Sequence, residues 1–306
     1  MLLRRVLRVI TAAALAVPLA LAGVTGTASA EPTPARQLMF FNHGYGVVDR
    51  ETADAIEHSA YLREFASFHV RTTTGAGGQT WTGRYLMGRE TYFEMFGVGD
   101  LPGEDGKLGM TGFGVSTENA GELEKVRQRL RDQGVKPVEF QQTRDFGDGV
   151  PVPWFDAIFT SPEQYESLNA WGMEYREEYL SDPRTKIRPA AYPGEVSRDR
   201  YLNEDYQKHL MRDVSAMHIG ITARDLKVTL PLLTAGGFVV TPFPGGVLVT
   251  RGGTTMRLEA VPQDQIGLRM VEFTLNRDLG ARQVVPIGRS TLTVGPGTRA
   301  VWTFQR

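Results

Sequence analysis

The chain contains no cysteine. That absence excludes disulfides, thiol nucleophiles and thiolate metal sites together. A nucleophile would have to be Ser, Thr, Asp, Glu, Lys or Tyr, and a metal site would have to use histidine, carboxylates and water. Blocks of basic residues are also lacking, so no nucleic-acid partner is expected. The glycines at 75, 77 and 78 are not followed by a Lys-Ser/Thr pair entering a helix, so they make no phosphate loop. The Ser116-Thr117 and Ser290-Thr291 pairs lack the context of a nucleophile elbow. Only one apolar run invites comparison with a membrane span, and it lies at the N-terminus.

Arg4, Arg5 and Arg8 precede an uncharged stretch from Val9 to Val24, and Ala28-Ser29-Ala30 follows. A basic region, an apolar region and an A-x-A tripeptide in that order spell a secretory signal cleaved after Ala30. The run is short for a bilayer span. General secretion is the default route, and the Arg pair leaves twin-arginine export open. Cleavage would remove three arginines and shift the net charge from −1 to −4. The expected product is secreted, extracellular, free of the membrane after cleavage, and long enough to bury a sizeable core without disulfides.

Residues 31–37 read as a polar, proline-containing leader. A strand is expected over 38–48, where Met39, Phe41, His43, Tyr45 and Val47 alternate on one face. Asp49 can cap a helix over 50–66. Three strands follow, at 68–73, in "TWTGRYLMG" and in "TYFEMFG". After a Gly-rich loop at 101–110 the order restarts: strand "TGFGVST", a helix over 120–133 stopped by Gly134, then strands "VEFQQT", "PWFDAIF" and "NAWGMEY". Residues 181–196 read as a connector. Residues 197–306 read as an α+β region, open to being a third, degenerate copy of the same unit. There a helix is expected over 198–212, and Pro231 is expected only in the first turn of a short helix ending near Gly236.

The repeated strand–helix–three-strand order, with "FNHGYGVVDRET", "TYFEMFG" and "NAWGMEY", resembles the vicinal oxygen chelate superfamily, which includes glyoxalase I and the bleomycin-resistance proteins. Secreted glyoxalase-like proteins look most similar. The resemblance covers about residues 38–180, with a weaker echo from Met217 onward. It implies an α+β fold of paired βαβββ modules forming a cup-shaped sheet, with a β-rich C-terminal region added. It also implies a ligand on the first and last strand of each metal-binding module. Carried onto this chain, those positions are His43, Glu94 and Glu174, while the first strand of the second module offers only Gly112, Phe113 and Gly114. A divalent metal ion held by one histidine and two carboxylates, or a degenerate site without metal, are both open.

The residues themselves sharpen this. A carboxylate among aromatics, as in Thr91 to Phe96, has to be paired, coordinated or raised in pKa. Glu94 is therefore the candidate catalytic ligand or base, unless Arg84 or Arg89 neutralises it. His43 is either a ligand or a satisfied buried histidine. Glu174 shares its face with Arg176, which favours a surface pair. His218 and its possible companions Glu259 and Glu272 read as surface residues of the C-terminal region, although His218 could complete a site with His43 and Glu94. His58, His69 and His209 have no constellation. Tyr45, Trp81, Tyr92, Phe96 and Trp154 are expected to line an apolar pocket for a small organic molecule. Three readings stay open: metal-assisted chemistry on that molecule, binding without chemistry, and a structural protein whose cup is filled.

Overall fold

The computed structural model describes residues 35–202 and 204–305. The expected signal segment and its cleavage point lie outside the described residues. The first unit comprises β1 (Phe40–Val48), α1 (Arg50–His58), α2 (Ala60–Phe65), β2 (Ser67–Thr74), β3 (Thr80–Met87) and β4 (Tyr92–Gly97). The second comprises β5 (Thr111–Ser116), α3 (Glu122–Asp132), β6 (Val138–Arg144), β7 (Val152–Phe159) and β8 (Leu168–Tyr175). A connector carries two single-turn helices, α4 (Glu177–Leu180) and α5 (Arg198–Tyr201). The third unit follows as β9 (Met211–Ile221), α6 (Ala223–Gly236), β10 (Val239–Phe243), β11 (Gly246–Thr250) and β12 (Thr255–Ala260). The fourth, without a helix after its first strand, is β13 (Gly267–Leu279), β14 (Gln283–Ile287), β15 (Ser290–Val294) and β16 (Gly297–Phe304).

Units one and two share an eight-stranded sheet ordered β2-β3-β4-β1-β5-β8-β7-β6. Units three and four build the second, β10-β11-β12-β9-β13-β16-β15-β14, which is the same order again. In each sheet the first strands of the two units pair antiparallel at the centre; β1, β5 and β9 run parallel to the last strand of their own unit, whereas β13, which no helix follows, is antiparallel to β16. The fold is thus α+β, with paired βαβββ modules curled into cups. The C-terminal region holds two units where a single degenerate copy was considered.

Local chemistry explains where the elements depart from the sequence pattern. The helix expected over 50–66 is two helices, because Ser59 adopts an extended conformation and its hydroxyl accepts from Leu62 N, restarting the helix. The helix expected over 198–212 ends at Tyr201, since Met211 already belongs to β9. There the Asp213 carboxylate accepts from Glu90 N, Thr91 N and the Thr91 hydroxyl, tying β9 to the β3–β4 turn. Pro231 lies well inside α6 rather than at its start. Thr222 caps that helix through Asp225 N, and the Thr160 hydroxyl donates to the Val228 carbonyl in the turn disturbed by the proline. Pro242 and Pro286 sit on β10 and β14, the outer strands of the second sheet, where a missing N–H breaks no interior ladder.

The back faces of both sheets and helices α1, α2, α3 and α6 share one apolar core, which includes Phe41, Phe65, Phe93, Phe113, Leu232 and Trp302. The sheets approach closely at β1. A Cβ on Gly44 would lie 2.7 Å from the Met217 methyl, and one on Gly46 would lie 3.1 Å from the Leu268 side chain.

Candidate functional site

The concave face of the first sheet encloses a cavity of about 220 Å³. Its two outer strands nearly meet: Asp145 N donates to the Thr74 carbonyl at 3.1 Å, and the Gln142 side chain accepts from Ala76 N at 2.8 Å. The connector adds Tyr201, which stacks on Tyr175 with ring centres 4.5 Å apart. The Gly-rich loop adds Leu101 and Asp105 to the lining.

His43, Tyr45, Trp81, Tyr92, Glu94, Phe96 and Trp154 all line this cavity. His43 and Glu94 come together across β1 and β4, with Nε2 3.8 Å from Oε1. That distance is too long for a direct hydrogen bond. Neither Arg84 nor Arg89 neutralises Glu94. Arg84 pairs with Glu57 and Asp100, and Arg89 with Glu90 and Asp199.

The strand pattern alone would put His43 on the face of Phe41. A bulge between Phe41 and His43 breaks the alternation, so Phe41 enters the core while His43 and Tyr45 face the cavity. The bulge also brings Asn42 beside His43. Asn42 Oδ1 lies 2.8 Å from His43 Nδ1, and Asn42 Nδ2 donates to the Ser116 and Tyr175 hydroxyls at 3.0 and 3.2 Å. With the amide oriented by those two acceptors, Nδ1 is the protonated ring nitrogen and Nε2 presents its lone pair to the cavity. The imidazole stacks on Tyr92, with centroids 4.4 Å apart and planes 11° from parallel. Trp171 meets it edge-on at 5.1 Å.

Burial dominates the electrostatics. It lowers the His43 pKa to about 3, so the ring is neutral. It raises the Glu94 carboxyl to about 8, against the opposing pull of the Arg71 charge and a hydrogen bond with Tyr92. At neutral pH the pair is therefore an imidazole beside a protonated carboxylic acid. Burial likewise pushes the Tyr45, Tyr92 and Tyr175 hydroxyls up. Three buried polar atoms of the lining, Trp154 Nε1, Trp171 Nε1 and Asn169 Oδ1, have no hydrogen-bond partner among the described residues.

Glu174 does not join this site. It lies on the opposite face of β8 from Tyr175 and accepts from the Thr117 hydroxyl, Gly121 N and Leu123 N at 3.0, 2.8 and 2.9 Å. Helix α3 begins after Gly121, which has no side chain to cap it, so the Glu174 carboxylate serves the exposed N–H groups instead. The cavity-facing positions on β5 are Gly112 and Gly114. A Cβ on Gly112 would lie 2.2 Å from the Tyr45 ring, and one on Gly114 would lie 3.0 Å from His43 Cε1. The second module thus yields its space to the rings of the first and offers no ligand. Among the described residues no three His, Asp or Glu side chains gather as a metal ion would need. The donor set implied by the resemblance shrinks to His43 and Glu94, which does not fit a resident divalent ion.

His218 lies outside the cavity, with Nε2 2.8 Å from Glu259 Oε2 on the second sheet, and Glu272 pairs there with Arg299. His58, His69 and His209 contact Asp54, Ser67 and Glu64 respectively, away from the lining. Trp171 and Tyr175 were legible as the apolar face of β8. Asn42 and Tyr201 were not, since a bulge places one and the connector places the other.

Residues 41–304 match a family described as a family of unknown function (DUF5829), and the chain belongs to it. No curated protein matches it. Among solved structures, a hypothetical protein from Staphylococcus aureus is 11% identical, with 85% of this chain and 100% of that one covered at a TM-score of 0.54. That likeness supports the fold alone. More distant neighbours include a Mn(II)-bound glyoxalase from Novosphingobium aromaticivorans at 8% identity, covering 86% and 81% of the two chains with a TM-score of 0.38. Another is a 2,3-dioxygenase from Pseudomonas sp. KL28 at 12% identity, covering 86% and 91% with a TM-score of 0.42.

Proposed function

We propose that this member of DUF5829 binds a small aromatic organic molecule in its first cup, without a resident metal ion. One observation carries the reading. A buried aromatic cavity contains two indole N–H donors and an amide oxygen with no partner among the described residues. Unpaired buried polar atoms are costly, and a ligand with matching acceptor and donor groups removes that cost. Tyr45, Trp81, Tyr92, Phe96 and Trp154 supply the apolar walls. A structural protein with a filled cup is disfavoured by the cavity itself. The test is calorimetric titration with a panel of small aromatic alcohols and acids. Binding that is lost in Trp171→Phe, a variant that deletes the N–H and leaves an apolar ring, supports the reading. No binding by any member of the panel overturns it.

A second reading adds chemistry to binding. Glu94 is a carboxylic acid at neutral pH, held 3.8 Å from an imidazole whose Nε2 is unprotonated. Such a pair can give a proton to a bound molecule from Glu94 and take one at His43 Nε2. Turnover abolished in Glu94→Gln, with ligand affinity kept, distinguishes this from binding alone. We further propose that the protein acts outside the cell after cleavage behind Ala30. Intact-mass measurement of secreted protein starting at Glu31 supports this, and a retained chain starting at Met1 refutes it.

A further inference from the structure

We propose that the cup's ligand carries an anionic oxyacid group, phosphate or carboxylate, seated in a basic vestibule beside the aromatic cavity. The inference rests on the reading of the first cup as a ligand site and extends it to the charge of the ligand. A second cavity of about 540 Å³ adjoins the first and shares Arg71, Met87 and Tyr201 with it. Six cationic side chains line it, against a single carboxylate, Asp199. The chain as a whole is slightly acidic, so this concentration of positive charge is local.

Three of the six are already neutralised. Arg89 pairs with Glu90 and Asp199, Arg184 with Asp148 and Asp182, and Arg188 with Glu195 and Asp199. The other three, Arg71, Arg144 and Lys186, pair with no carboxylate among the described residues. Arg144 is the most telling. Its guanidinium is half-buried, lies 4.9 Å from the Phe146 ring centre and 5.5 Å from that of Trp154, and donates to the Tyr179 hydroxyl at 2.7 Å. Aromatic faces stabilise a cation but leave its charge uncompensated. Arg71 lies 5.3 Å from the Tyr85 ring centre at the junction of the two cavities. Lys186 holds a φ of 55°, which a lysine rarely adopts. A molecule with its ring in the cup and an anionic group reaching past Arg71 into the second cavity would enter the space that Arg71 and Arg144 both line. Guanidinium groups bind oxyanions by charge-assisted, often bidentate hydrogen bonds.

The test titrates the full-length protein calorimetrically with 4-nitrobenzyl alcohol, 4-nitrobenzoate and 4-nitrophenyl phosphate, which share a ring and differ in charge. We expect at least one anion to bind about tenfold or more tightly than the alcohol at low salt. The advantage should shrink in high salt and in Arg71→Gln and Arg144→Gln. The salt comparison uses the unmodified protein, so it stands even if a variant fails to fold. A gain for either anion supports the inference, and the larger gain identifies the group. Equal binding of all three overturns this inference and leaves the cup as a neutral-ligand site. No binding of any probe overturns both readings.

Discussion

The two cups are built on one plan and used differently. His43 on β1 pairs in register with Tyr92 on β4, and Glu94 stands two residues further on. His218 on β9 pairs with Arg257 on β12, and Glu259 stands two residues further on. The same histidine–carboxylate pair is therefore placed twice by the same ladder geometry. In the first cup both partners are buried and 3.8 Å apart, the histidine is neutral and the carboxyl is raised to about 8. In the second the two side chains are 26% and 35% exposed and 2.8 Å apart, and the histidine holds the Glu259 carboxyl below its usual range. Closure makes the difference. The outer strands of the first sheet meet at Thr74 and Asp145 and the connector adds Tyr201, whereas among the described residues no bridge joins β10 to β14. Identical residue types at identical register become a solvated hydrogen-bonded pair or a desolvated acid and base according to what covers them.

The comparison can be broken most severely from the floor of the first cup. Gly112→Val would drive a branched side chain into the Tyr45 ring and the Asn169 carbonyl, which a Cβ alone approaches to 2.2 and 2.6 Å. We expect a loss of about 3 kcal/mol or more by urea unfolding, and loss of ligand binding. At Gly220 in the second cup a Cβ would lie 2.8 Å from the end of the Arg269 side chain and 3.0 Å from the Gln265 carbonyl, looser than at Gly112, so Gly220→Val should cost less than Gly112→Val.

The paired histidines should respond next. His43→Ala removes a buried ring stacked on Tyr92 together with its hydrogen bond to the Asn42 carbonyl, and should cost about 2–3 kcal/mol. Equal losses in His43→Ala and His218→Ala would contradict the contrast in burial.

Glu94 and His43 give opposite pH dependences. Glu94 has a folded pKa raised to about 8, so its contribution to stability is fully present below its unfolded pKa and is lost as pH rises through 8. His43 has a folded pKa lowered to about 3, so its contribution is present above its unfolded pKa and is lost as pH falls towards 3. The two slopes oppose each other in the mildly acidic range. Between about pH 6.5 and 8 only the Glu94 decline remains, at no more than about 1.4 kcal/mol per pH unit. Glu94→Gln should flatten the stability profile there, measured by urea unfolding across pH, and Glu259→Gln should leave it unchanged. A decline that persists in Glu94→Gln would place the titrating group elsewhere.

The smallest effect is expected at the second cup. His218→Ala breaks a partly exposed hydrogen bond to Glu259 and should cost less than about 1 kcal/mol. Ligand affinity in the first cup should stay the same. A large loss of binding in a folded His218 variant would mean that the second cup shares the site.

Much of this was legible in the chain. The order of elements gave the paired modules because hydrophobic period and turn residues are local properties. Glu94 stood out because a carboxylate flanked by aromatics on a strand has no cheap place to go. The aromatic walls followed from strand alternation. Glu174 misled, because its position in the module matched a ligand strand while its face did not. Its partners are the α3 N–H groups, which only packing brings within reach. The repeat in the C-terminal region was visible as a weak echo, since β13 to β16 lack the helix that would mark a unit.

What the sequence determined by itself were the strands, most of the caps and the set of aromatic and ionisable residues available to the first cup. Tertiary structure decided which of them meet. A one-residue bulge turned His43 away from Phe41 and placed Asn42 against it, the glycines of β5 made room for the rings of β1, and the connector brought in Tyr201. Each depends on contacts between residues far apart in the chain. Burial, which moves the pKa of His43 and Glu94 in opposite directions, is a property of the assembled cup and not of the segments that carry them.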